Sequence, residues 1–209
     1  MNNVLFLASK SPRRLALLQE LGYEPVVIAS NNHTLRAFAG DETPLGGELP
    51  QAYVVRTSQT KFAQGLALRA ERYPQASETP VLAADTVVSI DNIILGKPED
   101  EAQARDFLMR LSGRTHLVRT AVTAGTGKEN VRTVLQVSKV TFKRLSTHEI
   151  ERYIASQEPY DKAGGYGIQG KGGLFISRLS GSYTGVMGLP MFETSELLAR
   201  FNCLPALLA

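Results

Sequence analysis

One stretch near the start of the chain indicates how the fold begins: Val4-Leu5-Phe6-Leu7-Ala8-Ser9-Lys10-Ser11-Pro12-Arg13-Arg14. Its first five residues are apolar, as in a buried strand, and the residues after the stretch have helical spacing. Ser11 is a good N-cap, and Pro12 suits the first helical position because the N–H that proline lacks is unpaired there anyway. The stretch therefore predicts a strand over residues 4–8 that is followed by a helix over residues 12–21.

Two arginines, Arg13 and Arg14, lie at the start of this predicted helix. A helix N-terminus presents free N–H groups and a partial positive charge, so the helix dipole disfavours cations there. A bound anion would offset that repulsion, and phosphate is the usual anion. We therefore predict a phosphate site at Ser11, Arg13 and Arg14. The alternative is that one arginine is a solvated first-turn residue, and for Arg14 the sequence leaves open whether it holds the loop or contacts phosphate.

The composition is that of an ordinary globular protein, with 209 residues, 43% hydrophobic and 21% charged. The sequence contains neither an apolar run of about 18 residues nor a signal-peptide pattern, and Cys203 is its only cysteine. The net charge of +3 is scattered, without a block of lysine and arginine. We therefore expect a cytoplasmic protein with no membrane partner and no stable nucleic-acid partner, and with a mild preference for anionic small molecules.

The rest of the chain alternates predicted strands and helices. Strands are predicted over residues 25–29, 80–90, 93–95, 115–124, 132–142 and 175–179, and helices over residues 50–73, 98–111, 146–155 and 189–201. Residues 30–49 are rich in Asn, Gly, Pro and Thr, which indicates a loop. Gly125-Thr126-Gly127-Lys128 lacks the glycine spacing of a phosphate loop and predicts the turn of an antiparallel hairpin. The predicted fold class is α/β, a mixed twisted sheet with flanking helices in two lobes about a central cleft, within a single domain over residues 1–209.

Asp85 is the acidic residue with the most unusual position, because it lies inside the otherwise apolar run over residues 81–88. A buried carboxylate is costly unless it is paired or bound to a metal ion. Polar residues inside such strands tend to lie at a functional cleft, where a carboxylate can act as a general base. Two interpretations stay open from the residues alone: a general base, or a buried aspartate satisfied by backbone donors or an arginine.

Other charged residues could contact the same ligand. Lys97 lies between a predicted strand and a predicted helix, and Lys61 lies within a predicted helix; each is also consistent with a solvated lysine. Asp41 and Glu42 could hold a divalent cation together with Asp85. Taken alone, an acidic pair before a Thr-Pro step is more often a turn.

Residues 161–170 are dense in glycine and include Asp161, Lys162, Tyr166 and Gln169. Glycines let the backbone approach a ligand closely. The interleaved tyrosine and isoleucine are not typical of flexible linkers, which use serine and glycine. The segment therefore predicts a shaped binding loop, with a flexible surface loop as the alternative.

Zinc binding and acyl transfer are not supported by the sequence. The histidines His33, His116 and His148 show no metal-ligand spacing, and no serine lies in a Gly-x-Ser-x-Gly elbow. What remains is a set of arginines and lysines, two acidic positions and several glycine-rich junctions, without a protein nucleophile. Such a set suggests metal-assisted attack of water on a phosphoanhydride, in which cations neutralise the developing charge.

Eight segments in the same order give the chain a family resemblance. They are residues 8–14, 41–44, 53–56, 84–86, 96–98, 111–113, 161–170 and 188–190. Over nearly its whole length the chain resembles the Maf-like nucleotide pyrophosphatases. Ala84-Asp85-Thr86 and residues 161–170 resemble the branch of that family that acts on dTTP and UTP, whereas the 7-methyl-GTP branch typically carries Ser-Asp-Gln.

The resemblance implies an activity and roles for individual residues. It implies hydrolysis of dTTP, UTP and related modified pyrimidine triphosphates to the monophosphate and pyrophosphate, with a divalent metal cation such as Mg²⁺ or Mn²⁺. It also implies a fold similar to the inosine triphosphate pyrophosphatases and, often, a homodimer. Asp85 would be the proton acceptor and, with Glu42, a metal ligand. The implied specificity residues are Arg13, Thr86 and Gln169, and the predicted phosphate-binding residues are Ser11, Arg14, Lys61, Lys97 and Lys162.

Two departures from the family pattern and two other functions stay open. Residues 30–40 are longer than the family's usual link into Asp-Glu-Thr-Pro, which leaves the approach of Glu42 to the cleft open. Residues 58–62 keep Lys61 but not its usual charged neighbours. The other functions are a nucleotide-binding regulator of cell division with little or no hydrolysis and, least consistent with the scattered charge, a nucleic-acid-binding module.

Overall fold

A mixed sheet of seven strands forms the centre of the structure, a computed structural model that describes residues 3–28 and 43–207. The strands are β1 (Val4–Leu7), β2 (Glu24–Val27), β3 (Val81–Ile90), β4 (Ile93–Leu95), β5 (Thr115–Gly125), β6 (Val131–Phe142) and β7 (Ile176–Ser180). The α-helices among the described residues are α1 (Pro12–Glu20), α2 (Pro50–Arg72), α3 (Glu101–Leu111), α4 (Thr147–Ala155), α5 (Tyr183–Met187) and α6 (Met191–Ala199). The predicted α/β class, a mixed sheet with flanking helices, is confirmed.

Local sequence signals explain several of these boundaries. Ser11 is the N-cap of α1, and its hydroxyl oxygen accepts the N–H of Arg14 at 3.4 Å. Ser146 and Glu149 form a reciprocal capping box at the start of α4. In both helices a side chain satisfies a backbone N–H that has no partner within the helix. The predicted antiparallel hairpin is also present, as β5 and β6.

Two parts of the predicted pattern differ from the structure. The predicted helix start at residue 98 is wrong, because the Asp100 carboxylate accepts the N–H of Gln103 at 2.7 Å and begins α3 at Glu101. The predicted helix over residues 189–201 is shorter, as α6, and the short helix α5 before it was not predicted. At α3 a side-chain cap sets the start, whereas α6 begins after Pro190, which makes no side-chain capping bond.

The central strand β3 has a continuous neighbour on one edge and two separate neighbours on the other. β5 runs antiparallel to β3 from Val81 to Ser89. On the opposite edge β1 pairs in parallel with Val81 and Leu82, whereas β4 pairs antiparallel from Val88 onwards. Among the described residues, positions 83–87 therefore have no strand beside them on that edge. The sheet is open where β3 carries its polar residues.

Successive side chains of β3 point to opposite faces of the sheet. Asp85 and Val87 face α2, a helix of 23 residues. Ala84 packs toward α1 and α6, and Thr86 points to the same face, near α5. Two adjacent residues at the open edge therefore belong to different faces of the sheet.

The apolar core lies mainly at the two ends of the long strands. One cluster packs α3 and α4 against the end of β3, with Leu108 and Ile154 fully buried. Another packs α1 and α6 against β1 and the start of β3, with Leu18 and Leu198 fully buried. The open stretch of β3 lies between these clusters, which agrees with the predicted pair of lobes about a central cleft. The assignment of residues 1–209 to one domain stays a prediction.

Candidate active site

A cavity of about 1230 Å³ lies at the open edge of β3. Residues from both faces of the sheet line it, among them Asp85 from the α2 face and Thr86 from the other face. Its charged lining residues are Lys10, Arg13, Arg14, Lys61, Lys97 and Lys162, together with Asp85, Glu99, Glu158 and Asp161. The excess of cationic side chains suits an anionic ligand, and the volume suits one of nucleotide size.

The structure brings nearly all of the predicted site residues to this cavity. Those that line it are Ser11, Arg13, Arg14, Lys61, Asp85, Thr86, Lys97, Lys162 and Gln169. Glu42 and the long segment over residues 30–40 lie outside the described residues. The positions thus agree with a common site, while the individual roles stay predictions.

Asp85 is buried, with 8% of its surface exposed, and a donor lies beside each carboxylate oxygen. Lys61 Nζ is 2.6 Å from Oδ1, and Thr57 Oγ1 is 2.8 Å from Oδ2. Thr57 and Lys61 are four residues apart in α2, so they lie on one face of the helix and reach β3 together. The two donors compensate the loss of water around the carboxylate.

The Thr57 hydroxyl has a choice of acceptors. Besides the Asp85 carboxylate, the carbonyl oxygens of Tyr53 and Val54 lie within 2.9 Å and 3.1 Å of Thr57 Oγ1. A hydroxyl carries one hydrogen, so only one of these oxygens receives it at a time. If Asp85 gained a proton, it could donate to Thr57, whose own hydrogen would turn to a backbone carbonyl. The Thr57 hydroxyl therefore has an acceptor whether or not it donates to the Asp85 carboxylate.

Thr86 belongs to a different polar network, on the other face of β3. Arg14 Nη2 lies 3.3 Å from Thr86 Oγ1, and Thr120 Oγ1 lies 2.9 Å from the same oxygen. Arg14 also donates through Nε to the carbonyl of Gly188 at 2.9 Å and through Nη1 to Ser9 Oγ at 3.4 Å. Arg14 therefore holds the loop before α1 against β3 and the end of α5. Its phosphate contact stays a prediction beside this structural role.

Arg13 points across the cavity to the glycine-rich segment. Its Nη1 lies 3.6 Å from Asp161 Oδ2, and 37% of the Arg13 side chain and 66% of the Asp161 side chain are exposed. An exposed ion pair of this length contributes little to stability. The guanidinium can therefore exchange Asp161 for a phosphate or a base carbonyl at small cost.

The glycine-rich segment folds around the carboxylate of Glu158. Oε1 accepts the Tyr153 hydroxyl at 3.0 Å and the Gly172 N–H at 3.1 Å, and Oε2 accepts the Lys171 N–H at 2.9 Å. Burial raises the pKa of Glu158, but these donors outweigh it, and the pKa lies below its ordinary value. A Cβ at Gly170 would overlap the Glu158 carboxylate, so a larger residue there would displace the side chain that these N–H groups hold. This packing supports the predicted shaped loop.

Tyr166 anchors the same segment within the core. Its hydroxyl lies 2.7 Å from His116 Nε2, and the rings of His116 and Phe142 stand edge-to-face against it. Burial lowers the pKa of His116 to about 4 and raises the pKa of Tyr166, so both groups are neutral at pH 7. His116 Nδ1 is buried and has no hydrogen-bond partner among the described residues. A neutral aromatic cluster thus supports this wall of the cavity.

Three further predicted residues lie at the cavity surface. Lys97 and Gln169 are exposed, and neither side chain hydrogen-bonds to another residue within the described ranges. The Lys162 ammonium contacts the Asp161 carboxylate and donates to the Glu158 carbonyl at 3.0 Å. Lys97 and Gln169 therefore have their donors facing solvent, whereas Lys162 is partly committed to the loop.

A divalent cation at this cavity would have few carboxylate ligands from the described residues. Within residues 3–28 and 43–207, no group of three or more His, Cys, Asp or Glu side chains could hold a metal ion. Asp85 nevertheless offers carboxylate oxygen to the cavity, and Mg²⁺ is commonly held by one or two carboxylates together with substrate phosphates. The described residues fit a cation that protein and substrate hold jointly.

Four residues that shape the site were not predicted from the sequence: Thr57, Thr120, Glu158 and His116. The signal for Thr57 was its position one helical turn before Lys61. Thr120 faces Thr86 across the β3–β5 pair, and that register has no local signal. Glu158 holds the backbone of Lys171, and His116 contacts Tyr166. Both partners are distant in the sequence, so no local pattern indicates these contacts.

Comparison with known protein families assigns the chain to one of them. The family model described as Maf-like protein matches residues 4–201. The chain belongs to the Maf-like family. The family predicted from the sequence motifs is thus confirmed, and the match includes both faces of the open edge of β3.

Relatives of this Maf-like protein align over almost its full length. The dTTP/UTP pyrophosphatase of Dechloromonas aromatica (strain RCB) is 46% identical over 201 residues, which are 96% of this chain and 98% of the relative. A nucleoside triphosphate pyrophosphatase of Haemophilus ducreyi is 48% identical over 202 residues, 97% of each chain. The dTTP/UTP pyrophosphatase of Aliivibrio fischeri is 48% identical over 197 residues, 94% of this chain and 97% of the relative.

A solved structure aligns more weakly. The nucleoside-triphosphatase / dITP/XTP pyrophosphatase of Mycobacterium abscessus is 18% identical, with a TM-score of 0.43 over 68% of this chain and 75% of that chain. At this score the likeness supports no conclusion about the site.

Proposed function

We propose that this Maf-like protein is a nucleoside triphosphate pyrophosphatase that hydrolyses dTTP, UTP and related modified pyrimidine triphosphates to the monophosphate and pyrophosphate. The observation that carries the proposal is the buried Asp85 carboxylate at the open edge of β3, held by Lys61 and facing a cavity rich in cationic side chains. The substrate class is supported by relatives named dTTP/UTP pyrophosphatase at 46% and 48% identity.

Asp85 is suited to act as the general base. In the proposed reaction, water attacks the α phosphorus, the bond to the α,β-bridging oxygen breaks, and pyrophosphate leaves. The proton of the water passes to Asp85, where Thr57 can accept a hydrogen bond from the protonated carboxyl. Lys61 stabilises negative charge beside the reacting centre.

The cationic side chains and the recognition residues occupy different parts of the lining. Ser11 and Arg13 lie at the N-terminus of α1, and Lys97 and Lys162 come from the segments opposite; we assign these four to the phosphates. Arg14 we assign to holding the loop, with a phosphate contact as a second role. Base discrimination we assign to Thr86 and Gln169, with Arg13 at the boundary between the base and the phosphates.

A divalent cation is part of the proposal. Asp85, with Glu42, would hold it together with phosphate oxygens, in the way that Mg²⁺ is usually held. When bound, the cation supplies neutralisation of the phosphate charge as it develops. Asp85 Oδ1 and Oδ2 have further lone pairs beyond those used by Lys61 and Thr57, so the carboxylate can serve both cation and proton.

The test is a panel of ribo- and deoxyribonucleoside triphosphates with Mg²⁺ or Mn²⁺, with pyrophosphate and orthophosphate measured separately. We expect equimolar pyrophosphate and monophosphate, fastest for dTTP and UTP. Release of orthophosphate as the first product, or no turnover of any pyrimidine triphosphate, would overturn the proposal. Tight nucleotide binding without any turnover would favour the regulator of cell division instead.

We also propose a cytoplasmic homodimer without a stable nucleic-acid partner. No described helix is long and apolar enough to span a membrane. The scattered charge supports the absence of a nucleic-acid partner. Sedimentation at micromolar concentration tests the oligomer, and a monomer would contradict it. Salt-dependent binding to DNA or RNA would contradict the expected partners.

A further inference from the structure

A chain of hydrogen bonds leads from Arg14 through two threonines to a backbone carbonyl. Arg14 Nη2 lies 3.3 Å from Thr86 Oγ1, Thr86 Oγ1 lies 2.9 Å from Thr120 Oγ1, and Thr120 Oγ1 lies 2.7 Å from the carbonyl oxygen of Gly185. Thr120 is fully buried, whereas Thr86 is partly exposed and lines the cavity. The chain thus begins at the cavity wall and ends in the interior.

The two ends of this chain fix the direction of every hydrogen bond in it. The Gly185 carbonyl can only accept, so the single hydroxyl hydrogen of Thr120 is donated to it. Thr120 therefore has no hydrogen left for Thr86, and Thr86 must donate its own hydrogen to Thr120. Arg14 has no acceptor and can only donate to Thr86. The Thr86 hydroxyl consequently offers the cavity a lone pair and no hydrogen.

The surrounding packing holds Gly185 in the position that this chain requires. A Cβ at Gly185 would lie 2.5 Å from Gln136 Oε1, so glycine lets the backbone approach the sheet without displacing the Gln136 side chain. The Gly185 N–H is held by the Ser182 hydroxyl oxygen at 2.9 Å, and the Thr184 and Gly185 carbonyls accept the N–H of Gly188. Helix α5 thus presents the Gly185 carbonyl to Thr120 as a fixed acceptor.

We propose that Thr120 is a positioning residue that fixes Thr86 as a hydrogen-bond acceptor, and that the site therefore favours pyrimidines that carry a hydrogen on ring nitrogen N3. The inference rests on the proposed function for its ligand class. Uracil and thymine have an N3–H between two carbonyl groups, whereas N3 of cytosine is an acceptor. A lone pair on Thr86 matches the first pattern and repels the second.

Gln169 alone could not impose this preference. Its amide carries both a carbonyl acceptor and an N–H₂ donor, and the exposed side chain makes no hydrogen bond to another described residue. It can turn either group to a base. Thr86 cannot turn without breaking its bond to Thr120. The fixed hydrogen-bond polarity therefore belongs to Thr86, and the buried Thr120 is its cause.

The test measures equilibrium binding, so that it does not depend on turnover. The probes are α,β-imido-UTP and α,β-imido-CTP, which resist cleavage between the α and β phosphorus atoms. Three variants are compared with the unmodified protein. Thr120→Val removes the hydroxyl at nearly constant volume, and Thr120→Ser keeps it. Thr115→Val removes a hydroxyl from the same strand, where within the described ranges the exposed Thr115 hydroxyl hydrogen-bonds to Thr141 alone.

We expect the unmodified protein, Thr120→Ser and Thr115→Val to prefer the uracil probe to the same extent. In Thr120→Val the Thr86 hydrogen is released and can be donated to cytosine N3, so the preference falls by roughly three- to tenfold, the size of one neutral hydrogen bond. A folded Thr120→Val with an unchanged preference overturns the proposal. An equal fall in Thr120→Ser or Thr115→Val also overturns it, since neither change removes the hydroxyl in question.

Circular dichroism and thermal melting show whether Thr120→Val folds. If it does not, a second experiment on the unmodified protein tests the proposal. Its affinity is then compared for the α,β-imido forms of N3-methyl-UTP and 5-methyl-UTP, which carry the same extra methyl group. Weaker binding of the N3-methyl form by at least about threefold is expected, and equal binding overturns the proposal. Absence of turnover with intact uracil preference would remove the proposed function and leave this inference standing.

Discussion

Asp85 and Thr86 are adjacent in β3, yet they belong to polar networks of different kinds. Asp85 faces α2 and pairs with the charged Lys61, whereas Thr86 faces α5 and lies between the Arg14 guanidinium and the Thr120 hydroxyl, in a chain that ends at a carbonyl. A charged network suits proton transfer and phosphate chemistry, and a chain of fixed polarity suits recognition of a base. Strand alternation puts the two networks on opposite faces, and the open edge of the sheet gives one ligand access to both.

Loss of the charged network should have the largest effect. We expect Asp85→Asn to lower kcat for dTTP by roughly 10²- to 10⁴-fold, because the general base is removed. Asp91→Asn is the matched control, since Asp91 is exposed and, among the described residues, forms an ion pair with Arg114 alone, at 2.8 Å. Pyrophosphate release under saturating dTTP measures the effect. A variant at position 85 that retains activity within about threefold would exclude Asp85 from this role.

The support for the recognition face should weaken at acidic pH. The pKa of His116 is lowered from 6.5 to about 4 in the folded protein, so between these values the unfolded chain binds a proton that the folded protein does not. The free energy of unfolding therefore falls as the pH falls, by roughly 2 kcal/mol between pH 7 and pH 5. Above about pH 6.5, the pKa of histidine in the unfolded chain, protonation of His116 no longer lowers the free energy of unfolding.

His116→Phe tests this dependence, because phenylalanine cannot take up the proton. The free energy of unfolding, measured by urea denaturation, should fall less between pH 7 and pH 5 in the variant than in the unmodified protein, by about 2 kcal/mol. An equal fall in the two proteins would show that His116 is not the titrating group.

Removal of the neutral donor from the charged network should have an intermediate effect. We expect Thr57→Val to lower kcat for dTTP by about tenfold with little change in KM, because Asp85 keeps Lys61 but loses the donor at Oδ2. Thr57→Ser should restore most of the loss, since serine keeps the hydroxyl. A rise in KM without a fall in kcat would contradict this assignment and indicate a role in substrate binding.

The smallest effects should separate the two arginines at the start of α1. We expect Arg13→Met to raise KM for dTTP by about threefold at unchanged stability, because its contact with Asp161 is long and exposed. Arg14→Met should instead lower the free energy of unfolding by roughly 1 kcal/mol, because Arg14 donates to Gly188, Ser9 and Thr86. Substrate titrations and thermal melts distinguish the two; a reversed pattern would exchange their roles.

The two networks also differ in how far they could be predicted from the sequence. Asp85 is conspicuous in the sequence because its neighbours are apolar, and Ser11 because capping depends on adjacent residues. The contact of Thr57 with Asp85 joins residues 28 positions apart and depends on how α2 packs on β3. The bond between Thr120 and Thr86 depends on the register between β3 and β5, two strands that β4 and α3 separate in the chain.

The open edge of β3 illustrates the same limit. The strands β1, β3 and β4 were each predicted nearly in place, with β4 at Ile93–Leu95 as expected. That β1 and β4 share one edge of β3 and leave a gap between them is a property of pairing across the whole sheet. The motif residues could therefore be predicted, whereas the geometry that brings two faces to one ligand required the structure.

Two measurements on Asp85→Asn test this division most directly. One is its affinity for α,β-imido-dTTP without added divalent cation, and the other is its turnover of dTTP. If recognition belongs to the Thr86 face, the variant should bind the analogue no more than about threefold more weakly than the unmodified protein, although its turnover is lost. A loss of affinity that parallels the loss of turnover would contradict the account, because Asp85 would then serve binding and chemistry together.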